Sequence, residues 1–362
     1  MPVAGRIARC LAASTNPLRL VTRIEDVRWL TGFTGGTAQV VLDADSAGAV
    51  LIVDGRYAER AEAELAAHGV DARIVVPSTG QDIDDLVVDV SAGRPVALDH
   101  RHVSAARARD LSQRLTLVDE RGTMDALRRV KDDDEFALME RCAAVADSAL
   151  ADLLADGLVG RTERQVRNRL DALMAEHGAD RPGFDTIVAT GPNGARPHHE
   201  PGDTGIESGH MVIIDFGAEI DGYRSDMTRT VRVGVPSAGL QTMFGVVTEA
   251  QRAGVAAVRA GVVGSEVDAA VRAVYVREGL EHEYLHGTGH GIGLFIHEDP
   301  ILSPRCEAVL AAGEVVTVEP GLYRKGVGGV RIEDQVVVTG TGCRVLTLTP
   351  KELSCPRSPR TI

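Results

Sequence analysis

Apolar positions along the chain follow two rhythms, and the changes between them outline the elements. Early on, the apolar run in "AGAVLIVDG" is closed by a turn and predicts a strand. "RYAERAEAELAAHG" follows with helical spacing and a stop at Gly69. "RPVALDH" predicts another short strand, so strands and helices alternate as in a small α/β domain. The charged stretch "RRVKDDDEF" around Lys131 then interrupts the apolar pattern. It sets an N-terminal domain at residues 1–127 and a second domain at residues 132–356.

The second domain opens on two helical patterns. "EFALMERCAAVADSALADLLADG" stops at Gly157, and "TERQVRNRLDALMAEHG" stops at Gly178. Thr162 and Gln165 have capping-box spacing, and Val166, Leu170 and Leu173 keep the helical period. Strand-like runs follow in "DTIVAT" and "VIIDFGAEIDGYRSDMTRT". The order then repeats. "LQTMFGVVTEAQRAGVAAVRAG" and "SEVDAAVRAVYVREG" read as helices, the second capped at Ser265 with Asp268 three residues on. "EVVTVEP" and "GVRIEDQVVV" read as strands. The expectation is a duplicated α+β unit.

Two acids interrupt the strand pattern of "VIIDFGAEIDGYRSDMTRT", and a lone carboxylate inside a strand is costly to bury. "DG" between strand-like runs is a two-residue hairpin signal. With Asp221 and Gly222 as the loop, Ile220 faces Tyr223 and Asp215 faces Thr228. Asp226 then lies opposite Gly217, and Asp215, Gly217, Asp226 and Thr228 share one face. The carboxylates become diagonal neighbours roughly 7–8 Å apart at the backbone, with Gly217 leaving room between them. At about 5 Å two bare carboxylates repel by roughly 3 kcal/mol at an effective dielectric near 20, so a positive charge is needed. Arg224 and Arg229 point to the opposite face on this register.

Further acids occur in the same style. Glu319 ends the apolar run of "VVTVEPG", and Glu333 falls mid-strand in "GGVRIEDQVVV", with Arg331 two residues before it on the same face. Between them "HGTGHGIGLFIHEDP" carries His286, His290 and His297, and "PNGARPHHEPG" adds His198 and His199 upstream. The spacing His286-Gly-Thr-Gly-His290 is a poor helix, so this is not the HExxH zinc motif, and the glycines do not form GxGxxG. They let backbone approach a site closely. Four carboxylates balance two divalent cations, and oxygen-rich ligation with an imidazole favours a harder ion such as Mn2+ or Co2+. This chemistry predicts a hydrolase with a dinuclear centre.

Composition narrows the partners. The chain has 362 residues, 44% hydrophobic and 25% charged, with net charge −13, which fits a soluble globular protein. No basic patch marks a nucleic-acid surface, and no apolar run approaches the ~18 residues of a membrane span. The N-terminal stretch has no continuous apolar segment of a signal peptide. Cys10, Cys142, Cys306, Cys343 and Cys355 are scattered with no CxxC spacing, as expected of a cytoplasmic protein. The tail "KELSCPRSPRTI" reads as a frayed terminus.

Taken in order, "DFGAEIDGYRSDMTRT", "HGTGHGIG", "VEPG" and "GGVRIED" closely resemble the pita-bread metallopeptidases, specifically the X-Pro dipeptidases (prolidases) and X-Pro aminopeptidases. The likeness covers nearly the whole chain. "VRWLTGFTGG" and "VLIVDGRY" resemble the N-terminal domain of that subfamily. The resemblance implies a curved antiparallel sheet built from duplicated helix-helix-strand units, behind a smaller α/β domain. It implies a homodimer with two divalent metal ions per subunit, foremost Mn2+, with Co2+ and Zn2+ as alternatives. It assigns Asp215, Asp226, His290, Glu319 and Glu333 as metal ligands. His198 resembles the histidine that contacts substrate and steadies the tetrahedral intermediate. His297 matches a second substrate-side histidine that helps proton transfer, and His286 a pocket residue near the proline. Arg331 resembles the arginine that orients the substrate or an active-site neighbour, and Arg56 of "DGRY" a position that contacts substrate in some relatives.

The implied reaction is hydrolysis of the X-Pro bond by a hydroxide bridging the metals, with Glu319 and His297 passing a proton to the leaving nitrogen. That bond is a tertiary amide without an N–H, which general proteases handle poorly. One departure is Phe295, where relatives often carry an acid; it implies an altered pocket lining with catalysis intact. Creatinase shares the fold without the ligands, and methionine aminopeptidase shares the ligands without the N-terminal domain. A non-catalytic peptide-binding relative of the same fold is the alternative from another class.

Overall fold

The computed structural model describes residues 3–355, and the chain divides into two compact units at Arg128/Arg129. In the first unit six strands form one mixed sheet. Its order is Arg73–Val75, Gly48–Val53, Ala38–Asp43, Leu18–Val21, Val96–Leu98, Leu117–Asp119. The expected strand of "AGAVLIVDG" is Gly48–Val53, and the helix after it is Ala58–His68. Gly69 ends that helix in the left-handed conformation at φ 64°, which glycine adopts without a Cβ penalty. Leu18, Leu20, Val41, Ile52, Val87, Val96 and Leu98 form the buried centre of the sheet.

The second unit repeats helix-helix-strand twice. Helices Asp133–Asp156 and Glu163–Glu176 precede the strands Ile187–Thr190, Met211–Phe216 and Met227–Val233. Helices Ala238–Ala257 and Gly264–Arg277 precede Gly289–Gly291, Val315–Val318 and Asp334–Val338. Thr162 and Gln165 make the expected capping box. The expected cap at Ser265 is corrected. The helix starts two residues earlier, at Gly264 after Val263, and has no side-chain cap. The Gly264 and Ser265 N–H groups donate instead to the carbonyls of Ala308 and Cys306, so tertiary contacts satisfy the helix start. Apolar faces of this helix pair pack on the paired strands Gly321–Arg324 and Gly328–Arg331 through Phe244, Val247, Val271, Tyr275, Leu322 and Val330.

The DG hairpin has the expected register. Asp221 and Gly222 both take positive φ, 50° and 77°, as a two-residue primed turn requires. Ile220 pairs with Tyr223, and Thr228 with Asp215. Arg224 pairs with Glu219 at 3.1 Å and Arg229 with Asp334 at 2.8 Å, so neither meets the hairpin acids. Gly217 differs from expectation. It does not leave open room, because a Cβ there would lie 1.8 Å from the Ser225 carbonyl oxygen. The glycine is there for close backbone approach across the hairpin. Gly217→Ala should therefore destabilise the protein by about 2 kcal/mol or more, read by urea unfolding. A loss under about 0.5 kcal/mol would contradict that close approach.

Two further expectations are revised. Glu333 is not mid-strand. The apolar run breaks into Gly328–Arg331 and Asp334–Val338, with Ile332 and Glu333 between them. The tail is partly ordered: Leu353–Cys355 forms a strand parallel to Met227–Val233, and residues 356–362 lie outside the described residues. Among the described residues no helix is long and apolar enough to cross a membrane.

Candidate functional site

Two antiparallel ladders bring the acids together. In one, Asp215 stands opposite Thr228, and Asp226 lies one residue before the strand Met227–Val233. In the other, Val318 pairs with Asp334, and Glu319 and Glu333 each lie one residue beyond that same end of the ladder. The ladders are joined where the Glu333 N–H donates to the Thr228 carbonyl at 3.1 Å and the Thr228 hydroxyl donates to Glu333 Oε2 at 2.7 Å. His290 reaches the same place from Gly289–Gly291, whose Gly291 pairs with Val316. The glycines of this strand are needed for strand packing, since a Cβ on Gly289 would lie 2.0 Å from the Thr317 carbonyl oxygen.

These side chains line one cleft of about 320 Å3. Asp215, Asp226, His290, Glu319 and Glu333 are joined there by His198, His286, His297 and Arg331. Phe184, Ile187, Ile296 and Ile301 supply an apolar wall. Arg56 belongs to the other unit, where its exposed guanidinium pairs with Asp54 at 2.8 Å. Phe295 does not line the cleft; its N–H donates to Glu298 Oε1 at 3.1 Å.

The electrostatics of the cleft call for cations. Asp226, His290 and Glu333 are all buried, and each offers a ligand atom within 4.8 Å of the others. His290 Nδ1 lies 2.9 Å from the Gly291 carbonyl, so Nδ1 carries the proton. Its Nε2 is thereby aimed at Asp226 Oδ2, 3.5 Å away, and Glu319 Oε1, 3.7 Å away, both contacts longer than an ordinary hydrogen bond. Burial, then the charges of Asp215 and Glu319, pushes the Asp226 carboxyl well above the usual range. Burial and the charge of Asp226 do the same to Glu333. Asp215 is raised by burial against the pull of Arg331, whose Nη2 lies 2.6 Å from Asp215 Oδ2. Asp215 Oδ1 is buried without a hydrogen-bond partner. One guanidinium cannot neutralise four carboxylates, and the Gly291 carbonyl at Nδ1 turns Nε2 of the imidazole toward them as a metal ligand's would be.

The histidines around this cluster differ in their surroundings. Burial lowers the pKa of His286, and burial together with His290 lowers that of His297, which favours the neutral imidazole in both. The rings of His290 and His297 meet edge-on, 4.5 Å between centroids. His286 Nδ1 faces the Gly287 carbonyl at 2.8 Å, which leaves Nε2 to accept from the Tyr323 hydroxyl at 2.8 Å. Tyr323 in turn accepts from Arg331 Nη1 at 2.9 Å. The sequence pattern alone does not point to Tyr323. Its one signal is a glycine: a Cβ on Gly321 would lie 2.5 Å from the Tyr323 hydroxyl.

A second cluster, Asp99, His102 and Asp125, also has metal-ligand spacing. Arg101 pairs with both carboxylates at 2.6 and 2.7 Å, and Arg23 with Asp125 at 2.5 Å. Burial would raise both acids, yet these guanidinium groups hold them below the usual carboxylate range. Their charge is already matched, so this cluster is an ion-pair network of the first unit.

Comparison with known proteins agrees with this geometry. The family model described as metallopeptidase family M24 matches residues 137–340, and that of the creatinase/prolidase N-terminal domain matches residues 6–130. An uncharacterized peptidase of Bacillus subtilis is 38% identical over 92% of this chain and 94% of its own. The structure of an Xaa-Pro dipeptidase from Bacillus anthracis is similar at a TM-score of 0.91, with 35% identity over 97% of this chain and 98% of that one. An X-Pro aminopeptidase structure from Thermotoga maritima matches at 0.86, with 30% identity over 96% of this chain and 99% of that one. Family membership implies divalent metal ions and a peptide substrate. The chain, a creatinase-like α/β domain followed by a pita-bread catalytic domain, belongs to metallopeptidase family M24.

Proposed function

We propose that the protein hydrolyses X-Pro peptide bonds as a dinuclear metallopeptidase. The observation that carries this reading is His290 Nε2, 3.5 Å from Asp226 Oδ2 and 3.7 Å from Glu319 Oε1, in a cleft that gathers four carboxylates around one guanidinium. Asp215, Asp226, His290, Glu319 and Glu333 would hold two divalent cations, and their oxygen-rich chemistry favours Mn2+. When bound, such cations supply an activated water and polarise a carbonyl. His198 contacts the scissile carbonyl from the cleft wall. Glu319 and His297 carry the proton that the leaving proline nitrogen must gain. His286 borders the proline, and Arg331 holds Asp215 and orients the substrate side of the cleft.

Similarity to the Bacillus anthracis Xaa-Pro dipeptidase supports the dipeptidase reading, with the X-Pro aminopeptidase as the second. Free thiols at all five cysteines support a cytoplasmic location. A homodimer and a substrate contact at Arg56 rest on the family resemblance alone. The test is proline release from Ala-Pro with Mn2+ present, after chelation, and after Mn2+ is restored, beside an X-Pro pentapeptide. Activity lost on chelation and regained with metal is expected, with the dipeptide turned over at least about tenfold faster. Faster cleavage of the pentapeptide would assign the aminopeptidase instead. Hydrolysis of neither, with metal bound, would favour the non-catalytic relative.

A further inference from the structure

Glu163 occupies the first turn of the helix Glu163–Glu176, yet its side chain is 0% exposed. A carboxylate buried to that extent needs partners, and Glu163 has them on a single loop. Oε1 accepts from the Thr190 N–H at 2.8 Å and from Asn193 Nδ2 at 3.0 Å. Oε2 accepts from the Gly202 N–H at 3.1 Å and from His199 Nε2 at 2.8 Å. Backbone bonds from Glu163 N to Thr204 O and from Arg164 N to Gly202 O close the same clasp.

The clasp grips both ends of the loop that delivers Pro197 and His198 to the cleft. Consecutive side chains part ways here: His198 lines the cleft, and His199 turns back to Glu163. The other side of the loop is held as well, since the Pro197 carbonyl accepts from Arg331 Nη1 at 3.3 Å. His198 makes no ladder of its own. The peptide that carries it is fixed by Arg331 on one flank and by His199 on the other.

We propose that the Glu163–His199 pair is a positioning device that sets His198 against the substrate carbonyl. The inference rests on the preceding reading, in which His198 contacts the substrate. His199 touches no reacting atom and acts through its neighbour. A misplacement near 1 Å in such a group costs on the order of 100-fold in rate.

The experiment compares His199→Leu, His199→Gln, His198→Ala and the double variant His198→Ala/His199→Leu in the metal-loaded protein. Each is read by kcat, KM, bound metal and thermal midpoint. His199→Leu removes the donor and should lower kcat by roughly 10- to 100-fold with bound metal unchanged. His199→Gln keeps an N–H for Glu163 and should recover most of that loss. In the His198→Ala background, adding His199→Leu should change kcat by less than about twofold, because the group it positions is already gone. A full-sized loss from His199→Leu in that background, or a His199→Gln variant as slow as His199→Leu, overturns the proposal. So does wild-type kcat in His199→Leu while His198→Ala is impaired. Wild-type turnover in His198→Ala overturns the reading of His198 itself. Should His199→Leu fail to fold, Glu163→Gln takes its place, since its amide opposes the Gly202 N–H while keeping the side-chain shape.

Discussion

Replacing His290 by alanine should abolish metal-dependent hydrolysis and strip at least one bound metal, while the protein stays folded. His290 is the one imidazole among the five proposed ligands, and its tautomer is set before any metal arrives, by the Gly291 carbonyl 2.9 Å from Nδ1. Losing the outer partner of a metal ligand already costs about 10- to 100-fold in affinity or activity. Losing the ligand itself should exceed that, so a decrease of at least about 1000-fold in kcat/KM is expected. The backbone of the strand Gly289–Gly291 is untouched, since its pairing with Val316 uses main-chain groups. Metal content after dialysis and proline release from Ala-Pro are the two readouts. Wild-type turnover with the full metal complement would remove His290 from the site. Asp215→Asn should act in the same direction, since Asp215 also lines the cleft.

The parts of this site that are legible in the sequence are those set by local rules. The hairpin register follows from a DG turn and a period of two, so the Asp215–Thr228 pairing can be deduced from the residues alone. Glu319 is legible because its strand stops at Pro320. Glu333 is only half legible. An apolar run hides the break at Ile332, where the chain leaves one ladder and donates to Thr228 in another. The Ser265 cap fails for a related reason: a local capping signal loses to carbonyls of Cys306 and Ala308, distant in sequence. Glu163 is invisible, since a glutamate in a first helical turn is usually a solvated partner of the helix dipole. Its four hydrogen bonds come from a loop 27 to 39 residues away. Lys131 is misleading as well. It sits in the charged stretch that marks the domain boundary, yet it is 5% exposed and pairs with Glu298 at 3.3 Å.

The second large effect concerns Arg331, and it separates a fold contribution from a site contribution. Arg331 is 3% exposed and uses its whole fork. Nη2 binds Asp215 Oδ2 at 2.6 Å, Nη1 binds Tyr323 and the Pro197 carbonyl, and Nε lies 3.2 Å from the Thr228 hydroxyl. Arg331→Leu removes one half of a buried pair and leaves Asp215 charged and alone, which typically costs about 3–5 kcal/mol. Metal-free protein should show that full loss in urea unfolding. Metal-loaded protein should show less of it, because a cation shared with Asp215 supplies the missing charge and binding stabilises only the folded state. Arg331→Lys should recover part of the stability, as its single ammonium can meet Asp215 but cannot also reach Tyr323, Thr228 and Pro197 in the planar fork. An equal loss with and without metal would mean that Asp215 stands apart from the cations. A loss below about 1 kcal/mol in the metal-free protein would mean that the buried pair contributes little, and that the carboxyl of Asp215 sheds its charge once Arg331 is gone.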